Sequence, residues 1–141
     1  VGMAFEALRL KTDRSGKEPK AFMLTLGNLA MARARAQFAS NFMACAGIRP
    51  IANILFHSVE EGVKAALESK AEMVVLCSSD DEYATFAPEV FAQLKDKCVF
   101  VIAGAPACKE DLEQIGIKNF ISVRSNVLET LTDFQNQLGI K

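Results

Sequence analysis

AFMLTLGNLAMARARAQF, residues 21 to 38, is the stretch on which the reading of this chain turns. Ala21 to Leu26 form an apolar run broken only by Thr25, the pattern of a strand buried on both faces. Gly27 and Asn28 interrupt it, and an alanine-rich segment of strong helix formers begins at Leu29. Strand, tight turn and helix in that order open a parallel α/β sheet. In such sheets the turn after the first strand is a common place to hold a ligand. Here the turn is followed by Leu29, Ala30, Met31 and Ala32, with no acid, histidine or hydroxyl among them.

Working outward, the same alternation continues. Further strand-like runs are Ile51–Phe56, Met73–Cys77, Val99–Ala103 and, weakly, Asn119–Ser122. Helical patterns lie between them. The first, Leu29–Ala46, stops at Gly47; the second opens with Ser58 and Glu61 in capping-box spacing and runs to about Ser69. A third runs from Asp80 or Asp81 to Leu94, with Pro88 inside it, so a kink or a late start is expected there. Cys108–Ile115 and Val127–Leu138 are the last two, the latter capped by Ser125 or Asn126. Five strands alternating with five helices give right-handed crossovers and a five-stranded parallel sheet with helices on both faces. The expected fold is α/β, flavodoxin-like (Rossmann-like), of strand order 2-1-3-4-5. Ahead of it stand a short amphipathic opening with Phe5 and Leu8, and a polar stretch, Asp13 to Lys20, that reads as a linker. The expected division is therefore 1–19 and 20–141.

The 141 residues suit one domain, half of them apolar, with a net charge of −1 and a pI of about 5.9. That balance argues against a general nucleic-acid binder, and no run is apolar for long enough to span a membrane. Cys45, Cys77, Cys98 and Cys108 show no C-x-x-C pairing and mostly fall in apolar surroundings, as expected of reduced thiols in a cytoplasmic protein. The opening Val-Gly-Met suggests a piece of a longer polypeptide.

In this fold the crevice lies at the carboxyl ends of strands one, three and four, here Leu26-Gly27-Asn28, Cys77-Ser78-Ser79-Asp80 and Ala103-Gly104-Ala105-Pro106. These loops fit no common chemistry. A flavin phosphate needs a hydroxyl-rich first loop, and a magnesium-dependent phospho-acceptor needs carboxylates there; neither is present. Asp80 and Asp81 read as helix-capping acids. Ser78 and the cysteines lack a base, because the only histidine is His57, at the end of the second strand. Zinc is unsupported for the same reason. Asn28, Arg33 and Arg35 could attract an anion at the helix N-terminus, although a solvated helix face explains the arginines as well.

Three stretches carry a resemblance: PKAFMLTLGNLAMARARAQFASNFMACAGIRP, VVLCSSDDEYATFAPEVFAQL and VFVIAGAPACKEDLEQIGIKNFISV. Together they resemble the C-terminal domain of the small subunit of methylmalonyl-CoA mutase. FEALRLKTDRSGKEP resembles the linker from that subunit's barrel domain. The resemblance covers nearly the whole chain and is most specific from Leu26 to Phe42. It implies an adenosylcobalamin-dependent isomerase that interconverts succinyl-CoA and methylmalonyl-CoA. Cobalamin-binding chains of this group carry D-x-H-x-x-G after strand one, whose histidine ligates cobalt with the aspartate behind it. They also carry S-x-L after strand three and G-G after strand four.

Laid on this sequence, the aspartate position is Ala30, the histidine position Ala32 and the glycine position Arg35. S-x-L falls on Cys77, Ser78 and Ser79, and G-G on Gly104 and Ala105. A methyl group has no lone pair for cobalt, and Arg35 would fill the slot that the glycine leaves open for the cofactor's nucleotide tail. The resemblance thus implies a degenerate domain of a non-catalytic subunit. No cofactor would be bound here, adenosylcobalamin would be held by the large partner subunit, and the two would form a heterodimer. Ala30, Ala34 and Phe38 are then expected to pack against the sheet. Two other readings stand beside it: a module that binds cobalamin base-on or an anion near Asn28, Arg33 and Arg35, and an unrelated enzyme acting through Cys77 or Ser78.

Overall fold

A computed structural model describes residues 2–16, 19–27, 29–51, 56, 58–94, 97–104, 109–117, 119–121 and 127–139. In chain order the elements are α1 (Gly2–Arg14), β1 (Lys20–Thr25), α2 (Leu29–Ala44), β2 (Arg49–Ile51), α3 (Val59–Ser69) and β3 (Met73–Cys77). They continue with α4 (Asp80–Leu94), β4 (Val99–Ala103), α5 (Lys109–Gln114), β5 (Phe120–Ile121) and α6 (Val127–Gln137). The sheet is β2-β1-β3-β4-β5 with every neighbouring pair parallel, the order expected from the alternation. No helix among the described residues is long and apolar enough to cross a membrane.

Local chemistry sets several boundaries where the sequence places them. Ser58 caps α3, its side chain accepting from the Glu61 N–H at 3.2 Å. Lys70 closes the same helix in a left-handed conformation, φ 58°, an uncommon place for a residue with a side chain. α4 begins at Asp80 and carries Pro88 within an uninterrupted helix, so the expected late start does not occur.

Other boundaries differ. The second strand, expected to begin at Ile51, is already paired at Arg49 and Pro50, with Phe22 opposite Ile51. Pro50 lies within this strand, where on a sheet edge its missing N–H can face outward and costs no ladder bond. Residues 52–55 lie outside the described set, beyond which the Phe56 N–H donates to Thr25 O at 2.9 Å. The polar stretch read as linker begins inside α1, whose last residues are Asp13 and Arg14. Residues 122–126, including the expected caps Ser125 and Asn126, lie outside the described residues.

Strand alternation divides the interior into two layers. Phe22, Leu24, Val74, Leu76, Phe100 and Ile102 point to the side covered by α3, α4 and α5. Ala21, Met23, Met73, Val75, Cys77, Val101 and Ala103 point to the side covered by α1, α2 and α6. The first layer is built from bulky side chains, with Phe22 stacked on Phe56 and Phe91 tilted against Phe100. The second is built largely from small ones and meets Ala39, Phe42 and Met43 of α2.

One expectation about α2 holds only in part. Ala30 and Ala34 are exposed and do not pack on the sheet, whereas the half-buried Phe38 does pack against the core layer. Ala32, Ala39 and Met43 are fully buried, with Ala36 packed beside them, and these positions define the inward stripe. Alanine recurs at 30, 32, 34, 36 and 39, so it fits several helical faces equally well and carries almost no phase information.

Candidate functional site

The carboxyl ends of β1, β3 and β4 come together where the topology expects a crevice. Around it the chain's own side chains bond across the loops. From α2, Arg35 sends its Nη1 to donate to Ala103 O at the end of β4, 2.7 Å away. From α4, the fully buried Tyr83 donates its hydroxyl to the same oxygen at 2.5 Å, with Leu76 O 3.2 Å away. The tyrosine oxygen in turn accepts from the Ser78 N–H at 3.1 Å. The Arg35 guanidinium carbon sits 5.9 Å from the centre of the Tyr83 ring, within cation–π range. One carbonyl thus receives donors from two helices, joining α2, α4 and the ends of β3 and β4.

Glu82 fills the space on the β1 side. Its Oε1 accepts from Ser79 Oγ at 2.7 Å and from Ser78 Oγ at 3.3 Å. Its carboxylate also lies against Gly27. A Cβ added there would stand 1.9 Å from Glu82 Oε2, and φ at Gly27 is +76°. The left-handed backbone favours glycine at this turn, and a Cβ would also push the movable end of the Glu82 side chain aside.

The positions singled out from sequence are distributed as follows. Ala32 is buried at 0% exposure, facing the interior, whereas Ala30 and Arg33 are exposed on α2. Arg35 is half-buried and bonded as described, Ser79 is bonded to Glu82, and Gly104 is buried with its N–H donating to Ile121 O at 2.6 Å. The structure brings Arg35 to the end of β4 and Ser79 to the α4 carboxylate, while Arg33 does not join them. Asn28, His57, Ala105 and Cys108 lie outside the described residues.

Cys77 is buried at the end of β3, and loss of hydration pushes its thiol up to about 12, the nearby Arg35 charge pulling weakly the other way. A thiol so held is a poor nucleophile. Burial likewise pushes Cys98 up to about 11. Among the described residues no group of three or more His, Cys, Asp or Glu side chains is placed to hold a metal ion.

Two residues that close the crevice, Glu82 and Tyr83, are absent from the sequence reading. A signal existed for the first: Ser79 and Glu82 stand in S-x-x-E spacing at the start of α4. Tyr83 is the chain's single tyrosine on an otherwise apolar helix face, which was the available hint. Elsewhere, a recess of about 350 Å³ opens beside Phe91, Cys98, Phe100 and Gly116. Its two amides, Asn119 and Gln137, bond reciprocally at 3.2 and 3.1 Å and so satisfy each other.

At the positions that the resemblance assigns to the histidine and the glycine, the side chain at 32 is a buried methyl pointing into the core, and the arginine at 35 spans to β4 through a formed hydrogen bond.

No protein-family model matches the chain. It is 61% identical over 137 residues to the methylmalonyl-CoA mutase small subunit of Porphyromonas gingivalis, covering 97% of this chain and 22% of that protein. Against the same-named protein of Streptomyces virginiae it is 36% identical over 96 residues, 65% of this chain and 16% of the relative. A probable methylmalonyl-CoA mutase small subunit of Mycobacterium tuberculosis is 27% identical over 141 residues, 96% of this chain and 23% of the relative. The chain thus spans about a fifth of the length of the curated relatives it matches. By sequence it is, over nearly its whole length, a homologue of a segment of methylmalonyl-CoA mutase small subunits.

Proposed function

We propose that this α/β unit is the C-terminal domain of a non-catalytic methylmalonyl-CoA mutase small subunit and that its role is structural. In this reading it binds no cobalamin. The large subunit holds adenosylcobalamin and isomerises succinyl-CoA and methylmalonyl-CoA, and the small subunit pairs with it as a heterodimer. The N-terminal residues 1–19 would lead in from a preceding barrel domain. The observation that carries the reading is the crevice itself, where Arg35 bonds Ala103 O beside a fully buried Ala32. A cavity closed by its own polar bonds supports a domain whose shape serves assembly rather than ligand capture. The homology to proteins named as small subunits supports the identity of the subunit.

The test is a visible-absorbance titration of the 141-residue chain with hydroxocobalamin and adenosylcobalamin, paired with equilibrium dialysis. Neither should bind at high micromolar protein. Binding with a base-on spectrum would defeat the cofactor-free reading and favour a site that needs no histidine. A base-off spectrum with a nitrogen ligand would implicate His57, the one imidazole in the chain. Pairing is tested separately, by co-expressing the full-length small subunit with a large subunit and measuring the assembly's mass by sedimentation.

A further inference from the structure

α1 is held to the body in an unusual way. Among its described side chains, Leu8 and Thr12 are buried, one turn apart on the same face. A helix of 13 residues is marginal alone in water, so this one depends on what it packs against. Leu8 enters the layer that includes Phe42, Ala46 and Phe134, and among the described side chains of α1 the other buried contact is polar.

The Thr12 hydroxyl donates to Ala46 O at 2.6 Å, in the turn that ends α2. It also accepts from Gln135 Nε2 at 3.0 Å. The same Gln135 nitrogen donates to Leu8 O at 2.8 Å, so one amide on α6 grips two successive turns of α1. Gln135 is fully buried, and its Oε1 has no partner among the described residues. The amide orientation follows from the chemistry, since the flipped form would set its oxygen against the Leu8 carbonyl. A buried amide with half its bonding capacity unmet is not what simple packing selects, and an apolar side chain would serve that purpose better. Gly47, at the end of α2, lies beside this contact, and a Cβ added there would meet Thr12 Cβ at 3.4 Å, ordinary van der Waals distance.

We infer that Thr12 and Gln135 form a polar latch that seats α1 on α6 and the end of α2, and that α1 opens as a unit when the latch is broken while the sheet stays folded. On the function proposed above, where a barrel domain leads into α1, the latch makes the junction between the two domains a fixed angle instead of a hinge.

The test is hydrogen–deuterium exchange on the 141-residue chain, comparing the unaltered protein with Thr12→Val, Gln135→Met and the conservative Thr12→Ser. Thr12→Val and Gln135→Met should each speed exchange across residues 6–14 by about tenfold or more, with β1, β3 and β4 unchanged. Thr12→Ser keeps the hydroxyl and should stay close to the unaltered chain. Three results would overturn the latch. Exchange in α1 could stay at the rate of the unaltered chain in both disrupting variants; the strands could lose protection by the same factor as α1; or α1 could be unprotected from the start. No cobalamin enters this measurement, so the latch and the cofactor-free reading can fail independently.

Discussion

The two faces of the sheet are filled by different means. Toward α3, α4 and α5 the strands present Phe22, Leu24, Leu76, Phe100 and Ile102. Toward α1, α2 and α6 they present Ala21, Val75, Cys77, Val101 and Ala103 together with the larger Met23, Met73 and Ile121. The bulky face holds its helices by apolar area. The small-residue face lets α2 lie close enough for Arg35 to reach the end of β4, and it is where the Thr12–Gln135 bonds form. Apolar area dominates the first side, where Tyr83 of α4 supplies the specific bonds, and the second adds polar bonds from Arg35, Thr12 and Gln135.

That contrast can be broken by substitution. Phe100→Ala should cost about 3–5 kcal/mol, because a large side chain leaves a void in a tightly packed layer. On the opposite face enlargement is the damaging change, and Ala39→Leu should cost about 1–3 kcal/mol through overpacking. Urea unfolding reads both, and a tolerated leucine at position 39 would erase the distinction.

Tyr83→Phe sharpens the comparison where the two faces meet the crevice. It keeps the ring and removes the hydroxyl bonded to Ala103 O, so about 1–3 kcal/mol should be lost from buried groups left unpaired. Gly27→Ala should cost about 1–2 kcal/mol from the left-handed backbone, beyond any displacement of Glu82. Adding Glu82→Ala should recover the displacement part only, which unfolding of the double variant would report.

The smallest effect is a pH dependence at Cys77. Its thiol is held protonated in the folded state, up to about 12, against the ordinary value of 9.0. Above pH 9.0 the unfolded chain loses that proton and the folded chain keeps it, so stability should fall as pH rises through this window. The loss should reach about 1 kcal/mol near pH 10 and should shrink in Cys77→Ala. A denaturation midpoint that falls equally in both proteins would assign the alkaline loss to other groups.

How much of this was legible follows from the kind of signal each feature leaves. The strand order could be read because β1, β3 and β4 are continuous apolar runs, and parallel crossovers admit few topologies. The Ser58 cap could be read because it depends on two residues three apart. The inward face of α2 could not, since its alanines fit several phases. The closing of the crevice was only half legible. Arg35 stood out as a long cation in a slot, but its partner is a backbone carbonyl 68 positions away, which no side-chain pattern announces.

The β2 edge has a consequence of its own. β2 carries a proline, Pro50, and beside it the exposed Arg49. An edge with a donor missing and a charge next to it is a poor template for another chain's strand. At these positions the sheet therefore offers little to extend. The same arrangement guards the isolated chain against edge-to-edge aggregation, a protection that Pro50→Val would weaken.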